Sequence, residues 1–250
     1  MDTAKSGIDE VMLPCGYLKG DVLYDIVNIR EITGEEEDIL ASPNMAVVQK
    51  MDTLIGNCIN YFESSEERGA KLDGRSEVYE GVKDLPIGDR VFMILALRRL
   101  SVSDEYAFEV KCTSCGERNK KALMLSDLDV MPMRDKKLRA YEVALPSGKT
   151  ARMKVMLGRD EGKMENIRKS KRDRMSQAIL LRLESLDDEP ARIGDVKRLS
   201  LRDRNAIRGS FEKEEGGVDT TIGVICDECG SDFNTELDVS QSDFFFPSGL

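Results

Sequence analysis

The apolar residues of this chain fall into the same succession of patterns twice. Near residue 13 and again near residue 145, a Leu-Pro-x-Gly turn leads into a segment with partial period-2 alternation, YDIVNIREI at 24–32 and TARMKVML at 150–157. Alternation sends successive side chains to opposite faces and predicts a strand with one buried side. Next come segments with apolar residues three and four apart, MAVVQKMDTLIGNCINYF at 45–62 and RMSQAILLRLESL at 174–186, each predicting an amphipathic helix. The polar stretches 63–78 and 186–196 read as loops. A further helix follows in each half, GDRVFMILALRRL at 88–100 and RDRNAIRGSF at 202–211. The first of these is apolar nearly all round, which predicts burial on several sides. Each succession closes on a strand, a Cys-x-x-Cys-Gly and a return strand.

Residue matches support the repeat. A shift of 114 lays Cys112, Cys115 and Gly116 on Cys226, Cys229 and Gly230, and Asp89-Arg90 on Asp203-Arg204. A shift of 124 lays Gly34, Met51 and Ile55 on Gly158, Met175 and Ile179. Changing offsets mean short insertions, which belong in loops. The expected architecture is therefore α+β: tandem duplicated units, each with β-hairpins, helices and a CxxC zinc-knuckle hairpin, joined by a shared four-cysteine, zinc-ribbon-like site. The units span residues 1–132 and 142–250, with 133–141 as the junction. Thr33-Gly34-Glu35-Glu36 fits a capping box at a helix start, and the second half has lost it, with Leu157 in place of the hydroxyl. Asp89 and Asp203 are expected as N-caps.

Composition narrows the chemistry. Histidine is absent from the 250 residues, which removes the commonest general base and the usual partner of a nucleophilic Ser or Cys. A net charge of −10 opposes non-specific nucleic-acid binding, which needs Lys and Arg against phosphates. The stretch KMENIRKSKRDR at 163–174 is a local basic exception, read first as a solvated helix face. With no run of roughly 18–20 apolar residues and no secretory signal pattern at its start, the chain reads as a soluble intracellular product.

The two knuckles carry the strongest chemical signal. Glycine after each Cys-x-x-Cys permits the tight turn that aims both sulfurs one way. Cys112, Cys115, Cys226 and Cys229 together would make a closed tetrahedral site for structural zinc, each unit donating half. Disulfides within the knuckles, or four reduced thiols, are the alternatives, and an intracellular setting disfavours the former. Cys58 lies on an apolar helical face and reads as core; Cys15, matched by Ser147, reads as incidental. The tail places Phe244, Phe245 and Phe246 in a row. Folding back onto the sheet is the first reading of this tail, but three consecutive aromatics cannot share one face of a strand, so Phe244, Phe245 and Phe246 are also candidates for a partner surface.

In order, the LPxG turns, IREITGEEEDIL, GDRVFMILALRRL, CxxCG, VMLGRDE and CDECG…DFFFP resemble the baseplate hub assembly proteins of T-even-like contractile-tailed phages, from about residue 11 to 247. The resemblance implies a non-enzymatic role in building the baseplate hub, with other tail baseplate or hub proteins as partners. It places the protein in the host cytoplasm during assembly, or in the virion baseplate. The competing expectation is a zinc-ribbon nucleic-acid-binding protein using residues 163–174.

Overall fold

The first alternating segment lies inside a four-stranded sheet. Strands β1 (Ile8–Lys19) and β2 (Val22–Arg30) form a hairpin closed by Gly20-Asp21, with Gly20 at φ 62°, where a side chain would be strained. The computed structural model describes residues 7–239 and 244–246, without the side chain of Glu212. Helix α1 (Gly34–Ala41) starts at the expected capping box: the N–H and hydroxyl of Thr33 both donate to the Glu36 carboxylate, at 3.0 and 2.8 Å. Helix α2 (Val47–Cys58) is shorter than its hydrophobic pattern. It stops at Ile59, and residues predicted as its last turn form strand β3 (Ile59–Glu63), with Phe62 opposite Val27 on β2. Ile59, Tyr61 and Phe62 are the β-branched and aromatic types that fit a pleated surface, so sheet pairing overrides helical spacing.

Strand β4 (Lys71–Leu72) completes the order β1-β2-β3-β4. Helix α3 (Arg75–Asp84) begins inside the predicted loop, its polar sequence anchored by buried Val78 and Val82. Helix α4 (Ile87–Ser101) is buried at every position from Met93 to Arg98, as its apolar circumference predicts. Strands β5 (Glu105–Lys111) and β6 (Arg118–Met124) then pair antiparallel around residues 112–117.

After β7 (Val130–Met131), the same order returns. Strands β8 (Ala140–Ala144) and β9 (Thr150–Lys154) precede α5 (Glu161–Lys169), α6 (Arg174–Arg182), β10 (Leu183–Leu186), β11 (Glu189–Pro190), α7 (Ile193–Arg198) and α8 (Leu201–Glu214). The second sheet runs β8-β9-β10-β11, the order of the first. Here too the predicted helix, 174–186, ends in a strand, and the predicted loop 186–196 holds β11 and the start of α7. Strand β12 (Gly217–Val218) pairs with β7, and β13 (Thr221–Ile225) with β14 (Asp232–Glu236).

Two cores result, and neither respects the expected boundaries. Leu237, Val239, Phe244 and Phe245 pack into the core of the first sheet, while Cys15 packs into that of the second. Cys15 is 1% exposed, and burial drives its thiol pKa far up. It is a packing residue of the seam rather than an incidental one. Cys58 is fully buried, as expected of a core position.

Asp89 and Asp203 are not N-caps. Pro86 and Ser200 hold those positions, and each aspartate reaches back to the Leu-Pro-x-Gly segment of its own half. Asp89 accepts from the N–H groups of Cys15 and Gly16, both at 2.7 Å, and Asp203 accepts from that of Ser147 at 2.9 Å. The junction bonds three carbonyls of residues 13–16: Met133 N–H donates to Pro14 O at 2.9 Å, Lys136 to Leu13 O at 2.9 Å and Arg139 to Gly16 O at 2.7 Å. Residues 133–141 are thus a clamp, and they satisfy backbone polar groups that burial would otherwise leave costly.

The seam between the sheets is polar and tight. Arg90, 1% exposed, joins Asp52 on α2, the Val82 carbonyl on α3 and Glu161 on α5, at 2.8, 3.0 and 2.8 Å. Residues 85–87 run antiparallel to 156–158, with Ile87 N–H on Met156 O and Gly158 N–H on Leu85 O.

Candidate metal centre

Each knuckle is shaped by its own backbone. Cys112 N–H donates to Glu117 O and Gly116 N–H to Cys112 O; in the second, Cys226 N–H donates to Ser231 O and Gly230 N–H to Cys226 O. Gly116 and Gly230 sit at φ 79° and 70°, conformations that other residues adopt only with strain. Residues 112–117 connect β5 to β6, and 226–231 connect β13 to β14.

The fold brings the four sulfurs together although the knuckles lie more than a hundred residues apart. All four Sγ atoms lie within 4.8 Å of one another, with Cys112 to Cys229 and Cys115 to Cys226 both at 3.7 Å. Metal–sulfur bonds of about 2.3 Å in a tetrahedron place the sulfurs about 3.8 Å apart, so the donor set fits one ion of that kind. The six cysteines of the chain are free thiols. Cys112 and Cys226 are buried while Cys115 and Cys229 face solvent, so the cluster has a protected and an open side.

Local donors favour thiolates at part of the site. Hydrogen bonds from the hydroxyl and backbone of Ser231 bring Cys229 down to about 6. The backbone of Cys229 and Glu228, with the amide of Asn119, also lowers Cys226. Cys115 goes the other way, to about 12: the Glu117 backbone favours its thiolate, but the neighbouring sulfurs hold its proton. Thiols crowded this closely share protons until a cation replaces them.

Sequence reasoning missed Asn119. It is 2% exposed and crosses between knuckles, accepting from Asp227 N–H at 2.7 Å and approaching Cys226 Sγ at 3.6 Å. An asparagine within a strand carries no spacing signal, and none could have singled it out.

The tail phenylalanines fold back onto the first core, the first of the two readings, rather than standing free for a partner. Phe244 and Phe245 are 1% and 2% exposed and pack edge to face with centroids 5.3 Å apart, while Phe246 is half-buried against the same core. Arg98 donates to the Phe244 carbonyl at 2.7 Å, and the Tyr106 ring lies 5.1 Å from that of Phe244. Phe244 and Phe245 therefore cannot anchor a partner while the chain is folded this way. Burying two aromatic rings outweighs leaving them for a separate contact. The basic stretch 163–174 forms α5 and the turn into α6, with Lys169 paired to Glu165 and Asp173 to Lys197.

The fold and the site define a mixed α and β chain with several sheets, closed through a cluster of four cysteines. Among the described residues no helix is long and apolar enough to cross a membrane. A family model described as T4 bacteriophage base plate protein matches residues 17–246, nearly the whole chain, and the protein belongs to that family. Comparison with curated proteins and with solved structures returns no match.

Proposed function

We propose that this protein is a non-enzymatic hub component, or hub assembly factor, of a phage tail baseplate, and that it works through contacts with other tail proteins. The family match over residues 17–246 carries the reading. The internal use of the charged groups agrees with it. Asp89, Asp203 and Arg90, the most buried charges of the matched helices, are spent on joining segments of the chain to one another. We read the chain as a tandem duplication, units 1–132 and 142–250 around the clamp 133–141. The support is the common sheet order and the repeated bond from aspartate to Leu-Pro-x-Gly.

Cys112, Cys115, Cys226 and Cys229 are assigned to one structural zinc ion. Thiolates select soft or borderline ions, and a ring of four leaves no coordination position for a substrate water. Bound there, zinc would tie the tips of the two hairpins and so fix one half of the chain against the other.

Infection with phage lacking this protein tests the reading. Tails should then lack complete baseplates, supplied wild-type protein should restore them, and tagged protein should co-purify with hub proteins. Its presence or absence in finished virions separates component from assembly factor. Normal baseplates without it, or purified protein that takes duplex DNA with a steep salt dependence and no tail protein, would overturn the proposal. Metal analysis of protein prepared without chelator should find about one zinc per chain.

A further inference from the structure

Asn119 is the one buried residue of β6, a strand otherwise exposed or half-buried. A buried amide is unfavourable unless its polar atoms find partners, and those of Asn119 all lie in the knuckles. Its Nδ2 donates to Glu117 O at 3.2 Å, within its own turn, and to Cys226 Sγ at 3.6 Å, across the gap. Its Oδ1 accepts from Asp227 N–H at 2.7 Å. Flipping the amide would set two donors, Nδ2–H and Asp227 N–H, against each other, so the bonding fixes the orientation. Lys121 also bonds Asp227 from the first hairpin, through an aspartate that is 69% exposed. Exposed pairs of that kind contribute little.

We propose that Asn119 is the positioning residue of the four-cysteine centre: it seats the second knuckle on the first and donates to the Cys226 sulfur, strengthening the hold on a thiophilic divalent metal. This rests on the metal reading above. Four thiolates on a divalent cation leave a net charge of about −2 at the site, and N–H or O–H donors to sulfur disperse it. Cys112 receives the Ser114 N–H at 3.3 Å and Cys229 lies 3.1 Å from the Ser231 hydroxyl, both donors local to their own turns. Cys226 draws its side-chain donor from the opposite hairpin. The same bond that supports its thiolate thereby sets the distance between the halves. A shift of 114 places Phe233 at the matching point, so the second hairpin has no reciprocal amide.

The test strips the full-length protein with a chelator and titrates cobalt(II), reading thiolate charge-transfer and ligand-field absorption. Wild type should take one equivalent with the spectrum of tetrahedral thiolate ligation. Asn119→Ala and Asn119→Asp should each weaken cobalt binding about 10–100-fold and shift the ligand-field bands. The aspartate keeps an acceptor for Asp227 N–H but turns a carboxylate toward sulfur, so it should be the weaker binder. Because that acceptor preserves the knuckle contact, Asn119→Asp decides the matter if the alanine variant does not fold. Lys121→Ala should stay within about fivefold of wild type. Wild-type affinity and spectrum in both Asn119 variants overturn this inference alone. A wild-type chain that binds no cobalt overturns the metal reading, and this inference with it.

Discussion

Asp89 and Glu36 are both buried carboxylates, and their surroundings push them in opposite directions. Burial raises Asp89 to about 6 from an ordinary 3.8, against the pull of the Cys15 and Gly16 N–H groups. Glu36 is also pushed up by burial, but Arg30 and Thr33 outweigh that and bring it from 4.5 down to about 2. The linked stability effects have opposite signs. Between pH 3.8 and 6 the folded chain binds more protons than the unfolded one at Asp89, so that group lowers stability as pH rises through this window. At Glu36 the unfolded chain binds more, so its contribution is present above pH 4.5 and lost as pH falls toward 2. Thermal melts across pH should therefore lose the decline between about 4 and 6 in Asp89→Asn. That variant is still less stable at neutral pH, because its amide offers one acceptor where two N–H groups need one each. Glu36→Gln should cost about 1.5–3 kcal/mol at neutral pH and flatten the acid limb. An unchanged acid limb would mean that Arg30 and Thr33 do not hold Glu36 in solution.

Element packing turns on where two backbones touch. Gly88, in the first turn of α4, meets the chain at the start of β12 so closely that an added Cβ would sit 2.0 Å from Gly216 O and 2.6 Å from Gly217 Cα. Backbone on both sides cannot swing away. Gly88→Ala should destabilise by about 1–3 kcal/mol despite the better helix propensity of alanine. Gly209, in α8, has nothing within 4 Å of its Cβ position, and Gly209→Ala should stabilise by up to about 1 kcal/mol. Opposite shifts in melting temperature are expected from one chemical change, and equal shifts would contradict the interlock. What the sequence made legible follows from the same contrast between local and distant causes. The knuckles, the capping box at Thr33 and the buried helix α4 are written in short spacings and could be read. The break from α2 into β3 could not, because Ile59 and Phe62 continue a helical stripe while their sheet partners Ile29 and Val27 lie about thirty residues earlier. Helix α3 was obscured by its polar surface, and only contacts made elsewhere in the chain show Val78 and Val82 to be anchors. Asp89 and Asp203 were visible as repeated residues, but their partners, Cys15, Gly16 and Ser147, were legible only as a second, separate repeat.

Two of the contacts between distant parts of the chain hold the segment from β12 onward against the first half. One is the four-cysteine cluster at the hairpin tips; the other is the set Leu237, Val239, Phe244 and Phe245 in the first core, with Arg98 on the Phe244 carbonyl. Arg98 is 3% exposed, and burial lowers its pKa; its Nε and Nη1 donate to carbonyls of Phe244, Ser103 and Glu105. A guanidinium held by backbone carbonyls in this way leaves little freedom to the chain around it. Phe244→Ala should cost about 3–5 kcal/mol, since it empties a filled site and uncovers the Tyr106 ring. Stripping the proposed metal from the wild type should loosen the hairpin tips while the aromatic tail still packs in the first core, so most helical signal survives. Doing both weakens two ties on one segment, and the combined loss should depart from the sum by about 0.5–3 kcal/mol. Denaturant melts of wild type and Phe244→Ala, each with and without chelator, measure that departure. Losses that add within about 0.5 kcal/mol would show that the two closures act on independent parts of the chain. A larger departure would mean that the four-cysteine cluster and the aromatic tail are two ends of one clasp on the segment from β12 onward.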